Sequence, residues 1–455
     1  MIYKGGMCMN FSDTFIHTLY TLKEGPIPAE VKEEARKCLL DEVGAMLIGA
    51  KQVKDNLSSY LSMFSGDDAT AIGLGKKASL QNAALVNGIS GHAYDFDDGH
   101  RFSTVHLGSA IIPAVLAVAE KENLSMDDCL RGIIIGYEAA IRMGNCIQPG
   151  HRGRGFHASG TVGTIGAAMG VAALLDFDKE QFKTALGAAC TSAGGILEMQ
   201  VGRSNLKPFN VGRATHDGVT AALVAKAGFT GPDEPLEGEF GFLRAYSDTC
   251  KPEILSLENN NNYNICGCYH KPYASCRHTH GPVFAAIKAV GDNNVNWRDI
   301  ESITVDMYAQ GVNGHDHTDI PSIVSGKMST PYCIALALVT GKIGISSFAE
   351  ENISDADILA LTKKIKVNAD DEITSWVPKK RAARVSVTLN NKETFTFQAD
   401  YALGEPELPM MIEDFCAKTS ELGMSAGKSD DEMKKIIDMI LTFDGNVAEL
   451  MKKLA

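Results

Sequence analysis

From Pro28 onward the apolar residues Val31, Ala35, Cys38, Leu39, Val43 and Leu47 recur at the spacing of one helical face. Pro28 stands near the first turn, where its missing N–H costs little. The same period predicts helices over 107–120, 126–144, 160–175, 179–199 and 219–227, with Gly, Pro or Asn punctuating the gaps. The first 250 or so residues therefore read as nearly all helical. Gly accounts for 44 residues and aromatics for only 7%, so small side chains let these helices approach closely. At 455 residues and 45% hydrophobic content the chain has ample material for a buried core, and its length allows several domains.

The period changes further along. Residues 258–264 contain four consecutive Asn and cannot build an apolar face, which marks a domain junction. Beyond it Ile303, Val305 and Met307 alternate as in a strand, and Val385, Val387 and Leu389 face Phe395 and Phe397 across an Asn390-Asn391 turn. Strands enter only in this half. Helical patterns also occur over 278–290, 330–339, 356–363 and 433–450. The expected fold is mainly α: a large helical domain over 8–262, a smaller α+β domain over 263–407, and a return to helix over 408–455. No tandem repeat is present.

The net charge of −13 argues against nucleic acid or an anionic membrane as partner, since either calls for a basic face and no Lys/Arg block appears. The longest apolar stretch, Leu107 to Ala119, is too short to span a bilayer, and no basic start with an apolar core opens the chain. The reading is cytoplasmic. Eleven scattered Cys, mostly inside apolar helical patterns as at Cys38, Cys129 and Cys190, suit reduced thiols better than a disulfide framework.

Four stretches can carry chemistry. In His92-Ala-Tyr-Asp95-Phe-Asp97-Asp98-Gly99-His100, followed by His106, three carboxylates and three imidazoles fall within fifteen residues. A general acid and base can be drawn from that set; the plainer alternative is helix-capping Asp and solvated His. The second is Gly155-Phe156-His157-Ala-Ser-Gly160-Thr161-Val-Gly163-Thr164, where Gly residues open a helix whose N–H groups suit a carboxylate, or merely permit close packing. Third, Lys207 stands before Pro208 between Arg203 and Arg213, a cationic turn fitted to carboxylates or to surface Asp/Glu. Fourth, His270-Lys271-Pro-Tyr273-Ala-Ser-Cys276-Arg277-His278-Thr-His280 combines a base, a cation and a thiol near the junction. Its Cys and His intervals, with Cys266 and Cys268, do not fit the usual zinc spacings. The triplet His315-Asp316-His317 looks like a metal fragment, and such a triplet in a polar loop is usually solvated.

In this order the stretches resemble the MmgE/PrpD family, which includes methylcitrate dehydratase, cis-aconitate decarboxylase and iminodisuccinate epimerase. The resemblance runs over nearly the whole chain. It is carried by Gly91-His-Ala-Tyr-Asp-Phe-Asp-Asp98, the helix start at His106, Gly155-Phe-His-x-x-Gly-Thr-Val-Gly-Thr164, Lys207-Pro208, Gly228-Phe-Thr-Gly-Pro232 and Lys271-Pro-Tyr273. It implies a large helical domain completed by the C-terminal helices, a smaller α+β domain, a homodimer, and a metal-free, cofactor-free pocket between the domains. By matching position it implies Asp95, His106, His157, Lys207 and Lys271 as active-site residues. Two departures weigh against decarboxylation: Gly99 stands where Thr often follows the Asp-Asp pair, and Cys276 followed by Arg277 stands where decarboxylases have His.

The expected ligand is a small di- or tricarboxylate. Arg203, Lys207, Lys271, Cys276, Arg277 and His278 would bind it, and His157 or Asp95 would take a proton from the carbon beside a carboxylate. Neighbouring cations would stabilise the enolate-like charge, and His106 would supply the second proton transfer. Dehydration or hydration of a citrate-like acid ranks first, epimerisation second and decarboxylation third. A non-catalytic carboxylate-binding helical protein and a metal-dependent hydrolase are the readings from other classes.

Overall fold

Helices follow the apolar period, and at some starts a side chain satisfies the first free N–H groups. Ser125 and Asp128 make a reciprocal capping box at one such start, and Asp178 with Gln181 makes another. The computed structural model describes residues 2–4, 7–201, 204–257 and 263–455, with side chains described from Asn10 onward. It is mainly α with a smaller α+β part. By internal contacts it divides into two compact units, Met1–Tyr269 with Phe415–Ala455, and His270–Asp414. The Asn run at 259–262 lies outside the described residues.

The principal helices of the first unit are α1 (Ala29–Gln52), α2 (Leu80–His92), α3 (Gly108–Lys121), α4 (Met126–Ile147), α5 (Ala158–Leu174), α6 (Lys179–Ser192) and α7 (Lys207–Lys226). Every residue of α5 is buried, so this helix has no solvent face and is the centre of the bundle. Glycines make that possible. A Cβ at Gly136 on α4 would lie 2.9 Å from the Gly166 carbonyl oxygen on α5, and one at Gly170 would lie 2.8 Å from that of Gly132. The α4 and α5 backbones are thus in direct contact, closer than any larger residue permits.

In the second unit β1 (Ile300–Met307), β2 (Ile365–Ala369), β3 (Ala383–Leu389) and β4 (Thr394–Ala399) form one sheet in the order β4-β3-β1-β2. Only β1 and β2 run parallel. The hairpin has the register expected from its alternation, with Phe395 opposite Val387 and Phe397 opposite Val385. Helices α8 (Arg277–Gly291) and α9 (Thr330–Thr340) belong to this unit. After it, α10 (Ile412–Ala426), α11 (Asp430–Thr442) and α12 (Val447–Leu454) follow. Within the first unit, the Lys418 ammonium of α10 lies 2.6 Å from Asp41 of α1 and donates to the Phe96 carbonyl at 2.9 Å.

Four expectations need correction. The helix predicted over 179–199 ends at Ser192, because Gly195 takes a left-handed φ of +118° that breaks the turn. The helix predicted over 219–227 begins twelve residues earlier at Lys207, with Pro208 in its first turn, so Lys207 opens a helix instead of sitting in a loop. The pattern over 433–450 is two helices separated by residues 443–446. Short strand pairs also occur in the first unit, Ala69–Ala71 with Lys76–Ala78 and Gly99–His100 with Cys268–Tyr269, each too short to register as an alternation.

The glycine contacts are testable. Gly136→Ala is expected to destabilise the chain by about 1–3 kcal/mol through overpacking, whereas Gly153→Ala, which has open space around its Cβ position, is expected to be neutral. Urea unfolding of both variants measures the difference.

Candidate active site

The chain leaves α2 at His92 and must turn within six residues, and two buried carboxylates hold that turn. Asp98 accepts the Gly108 N–H at 2.7 Å, which caps the start of α3, and the Tyr137 hydroxyl at 2.8 Å from α4. Asp97, with a fully buried side chain, accepts from His92 Nδ1 at 2.9 Å and from the Ser109 hydroxyl at 2.7 Å. Burial acts to raise the Asp97 carboxyl, but His92 and His106 beside it hold it well below the usual carboxylate range. Glu42, on α1, goes the other way: burial, then the neighbouring Asp97 and Asp98, raise its carboxyl well above the usual range. The Ser109 hydroxyl also lies 3.2 Å from Glu42.

Three imidazoles are oriented by this frame. His92 gives its Nδ1 proton to Asp97, while its Nε2 is buried with no hydrogen-bond partner among the described residues. Burial pushes His92 down to about 4 against the pull of Asp97, so the ring is neutral at pH 7. His106 donates from Nδ1 to the Asp98 carbonyl at 3.0 Å, and the same nitrogen lies 3.4 Å from Asp97. Its Nε2 faces the Asp95 carboxylate at 3.7 Å. Asp95 itself sits at a left-handed φ of +52°, a conformation Asp tolerates better than most residues.

His157 caps the start of α5, and its N–H donates to the Gly195 carbonyl at 3.1 Å, so the glycine break after α6 fixes its backbone. Its Nδ1 donates to Asn210 Oδ1 at 2.7 Å, which leaves Nε2 with the lone pair. Gly160 and Gly195 make room for that amide, since a Cβ at either would lie 2.2 Å from an Asn210 side-chain atom. Burial, partly offset by the Asn210 hydrogen bond, pushes His157 down to about 3. Asn210 lies one turn along α7 from Lys207, whose ammonium is 2.9 Å from Asp95. His92, His106 and Lys207 are all within electrostatic reach of His157. The N-termini of α3, α5 and α7 thus meet at one place, joined by the His106 N–H to the Ser159 hydroxyl at 3.0 Å, by His157 to Asn210, and by Lys207 to Asp95. Three positive dipole ends and an ammonium suit a negatively charged ligand.

Of the residues expected from the sequence, Asp95, His106, His157 and Lys207 are gathered here, while Arg203 lies outside the described residues. Lys271, Cys276, Arg277 and His278 belong to the second unit. There Lys271 is buried, Cys276 caps α8, Arg277 pairs with Glu405, and His278 donates to or accepts from the Tyr308 hydroxyl at 2.5 Å. His92, Asp97 and Asn210 are additions. The first two stood in the same His/Asp-rich stretch, but nothing local singles out Asn210, which acts across 53 residues. His92, Asp95, Asp97 and His106 each bring a donor atom within 4.8 Å of the others, a spacing compact enough for a cation, and the Lys207 ammonium already supplies positive charge to Asp95. His315, expected to be solvated, is instead buried and bonded to Cys276.

Two family models match this architecture, the MmgE/PrpD N-terminal domain over residues 14–255 and the MmgE/PrpD C-terminal domain over 273–442. The chain belongs to the MmgE/PrpD family. Its relatives include a cis-aconitate decarboxylase of Aspergillus terreus, 27% identical over 94% of this chain and 92% of the relative. A human cis-aconitate decarboxylase is 24% identical over 90% of this chain and 86% of its own length. Among the described residues of this MmgE/PrpD chain, no helix is long and apolar enough to cross a membrane.

The buried imidazoles set the acid stability. His92 and His151 titrate at about 4 and His157 at about 3 in the folded chain, all below the ordinary value of 6.5. Between those values the unfolded chain binds more protons, so stability falls as the pH drops from about 6.5 toward 4. His151→Gln, away from the ligand-facing groups, is expected to remove about 1–2 kcal/mol of the stability lost between pH 7 and pH 5. Urea midpoints at the two pH values test it.

Proposed function

We propose that this chain is a cofactor-independent lyase that dehydrates or hydrates a small citrate-like polycarboxylate by moving a proton beside a carboxylate. The observation that supports this most is His157, a neutral base whose Nδ1 proton is committed to Asn210 and whose Nε2 lone pair lies in a cluster with a lysine and three helix N-termini. In this reading Nε2 abstracts the proton, and Lys207 with the helix ends stabilises the enolate-like charge. Asp95 is the weaker candidate for the base, because it is half exposed and already paired with Lys207. His106 has carboxylates at both nitrogens, Asp97 near Nδ1 and Asp95 near Nε2, which fits a group that carries a proton to the departing hydroxyl. The proposal assigns further carboxylate recognition to Lys271 and Arg277, to be tested by substituting each alone.

Decarboxylation is the second reading, favoured by the names of the relatives, which are cis-aconitate decarboxylases. It starts by breaking a carbon–carbon bond and needs no base to abstract a proton, whereas His157 is oriented as one. Incubation with citrate, 2-methylcitrate and cis-aconitate in deuterated water separates the outcomes. Gain or loss of water with deuterium incorporation is expected. Release of carbon dioxide without hydration would replace the proposal with decarboxylation, and deuterium uptake with no unsaturated product would replace it with epimerisation. His157→Ala is expected to lower kcat by about 10²–10⁴-fold. If His157→Ala and Lys207→Ala both left turnover unchanged, catalysis at this cluster would be refuted.

A further inference from the structure

Cys276 stands at the N-cap of the fifteen-residue helix α8, with its N–H bonded to the Lys327 carbonyl and its side chain partly exposed. Its Sγ lies 3.2 Å from His315 Nε2. His315 is buried and fixed through its backbone, its N–H donating to Val312 and its carbonyl accepting the Thr330 N–H at the start of α9. The other ring nitrogen, Nδ1, is 2.9 Å from the Asn313 carbonyl. A carbonyl only accepts, so Nδ1 carries the hydrogen and the neutral ring turns its Nε2 lone pair toward the thiol. This is the arrangement of nucleophile, base and orienting group that activates a side chain for covalent chemistry.

The surroundings favour charge separation. The positive end of α8 is at the sulfur, where a thiolate is stabilised. His278, whose ring is 5.0 Å from that of His315, is pushed down to about 3 by burial, with Arg381, His315 and Arg277 adding to the shift, and so brings no competing charge at pH 7. Arg277 faces Glu405, and Tyr308 holds His278. Cys266 supplies the contrast: it is exposed, but partial burial of the sulfur and the nearby Glu34 and Glu138 push its thiol up to about 11.

We propose that Cys276 is a nucleophilic thiol activated by His315, and that its ligand class is an alkene conjugated to a carbonyl or carboxyl group. The thiol proton moves to Nε2, the sulfur forms a bond to the β-carbon, the π pair shifts to the α-carbon, and the Nε2 proton returns there. A saturated thioether results; nothing leaves, and no oxidant is consumed. The proposal rests on the geometry of this pair and not on the lyase reading, although a dehydration product would belong to the same electrophile class.

The test treats the intact protein at pH 6.5 with iodoacetamide, and separately with monomethyl fumarate, and follows each cysteine-containing peptide by mass spectrometry. Cys276 is expected to react at least about ten-fold faster than Cys266, and His315→Gln to slow Cys276 by about ten-fold or more. Cys333, fully buried in the same unit, reports folding in each sample by staying unlabelled. Equal rates for Cys276 and Cys266, or an unchanged Cys276 rate in a folded His315→Gln protein, overturn the proposal. Should that variant expose Cys333, the wild type decides alone. An ordinary thiol gains about 50-fold in rate between pH 6.5 and 8.5, whereas Cys276 is expected to gain less than about 5-fold. Because labelling needs no turnover, its outcome is independent of whether the chain proves to be a lyase.

Discussion

Burying carboxylates among helices is costly unless each finds donors, and the way Asp97 and Asp98 find theirs decides where much of the first unit must lie. Asp98 reaches α3 through Gly108 and α4 through Tyr137, while Asp97 reaches α2 through His92 and α3 through Ser109. The four donors come from three helices. Removing any of them leaves a buried charge short of a partner, which costs more than an ordinary lost contact. Glu42 adjoins the same cluster, and burial with the neighbouring Asp97 and Asp98 raises its carboxyl well above the usual range, which favours the uncharged form beside them.

That frame also explains why the His92 and His157 rings are neutral. Burial removes the solvent that would stabilise imidazolium at His92 and His157, and each ring of the site has one nitrogen committed to an acceptor: His92 to Asp97, His106 to the Asp98 carbonyl, His157 to Asn210. The remaining nitrogen of each ring is left as a lone pair unless a further proton is supplied. Positive charge comes instead from Lys207 and from helix N-termini, which can hold an anion. The cluster separates two properties, with lone pairs on the histidines and positive charge on lysine and peptide dipoles.

The helical body was legible because its apolar residues keep a 3.6 period over long runs, and the β3–β4 hairpin because alternation and an Asn-Asn turn agree. What failed was punctuation that depends on distant partners. The glycine pair at 194–195 ends a helix so that its carbonyl can meet His157, and Lys207 starts one so that its ammonium can meet Asp95. In the site, the residue types of Asp95, His106, His157 and Lys207 carried a chemical signal in their own stretches. Asn210 carried none, since an Asn inside a helical pattern is unremarkable until the ring it orients is known. His315 misled for the related reason that a polar triplet looks solvated when its partner, Cys276, is 39 residues away.

Close helix packing and proton chemistry are linked through the same small residues. Gly160 and Gly195 are tight against Asn210, so the amide has little freedom to turn, and the hydrogen bond that fixes the His157 tautomer is enforced by backbone rather than by another side chain. The central helix α5, buried along its whole length and held to α4 by backbone contact, cannot shift to absorb a misplaced ring. A neutral histidine buried this deeply is a weak base in bulk terms, and such a base needs a carbon acid whose carboxylate is neutralised by a nearby cation. A substrate carboxylate seated on Lys207 would supply the negative charge that strengthens such a base at the moment of binding. Rigid aim and ligand-dependent basicity thus have one structural origin, the glycine-lined meeting of three helix ends.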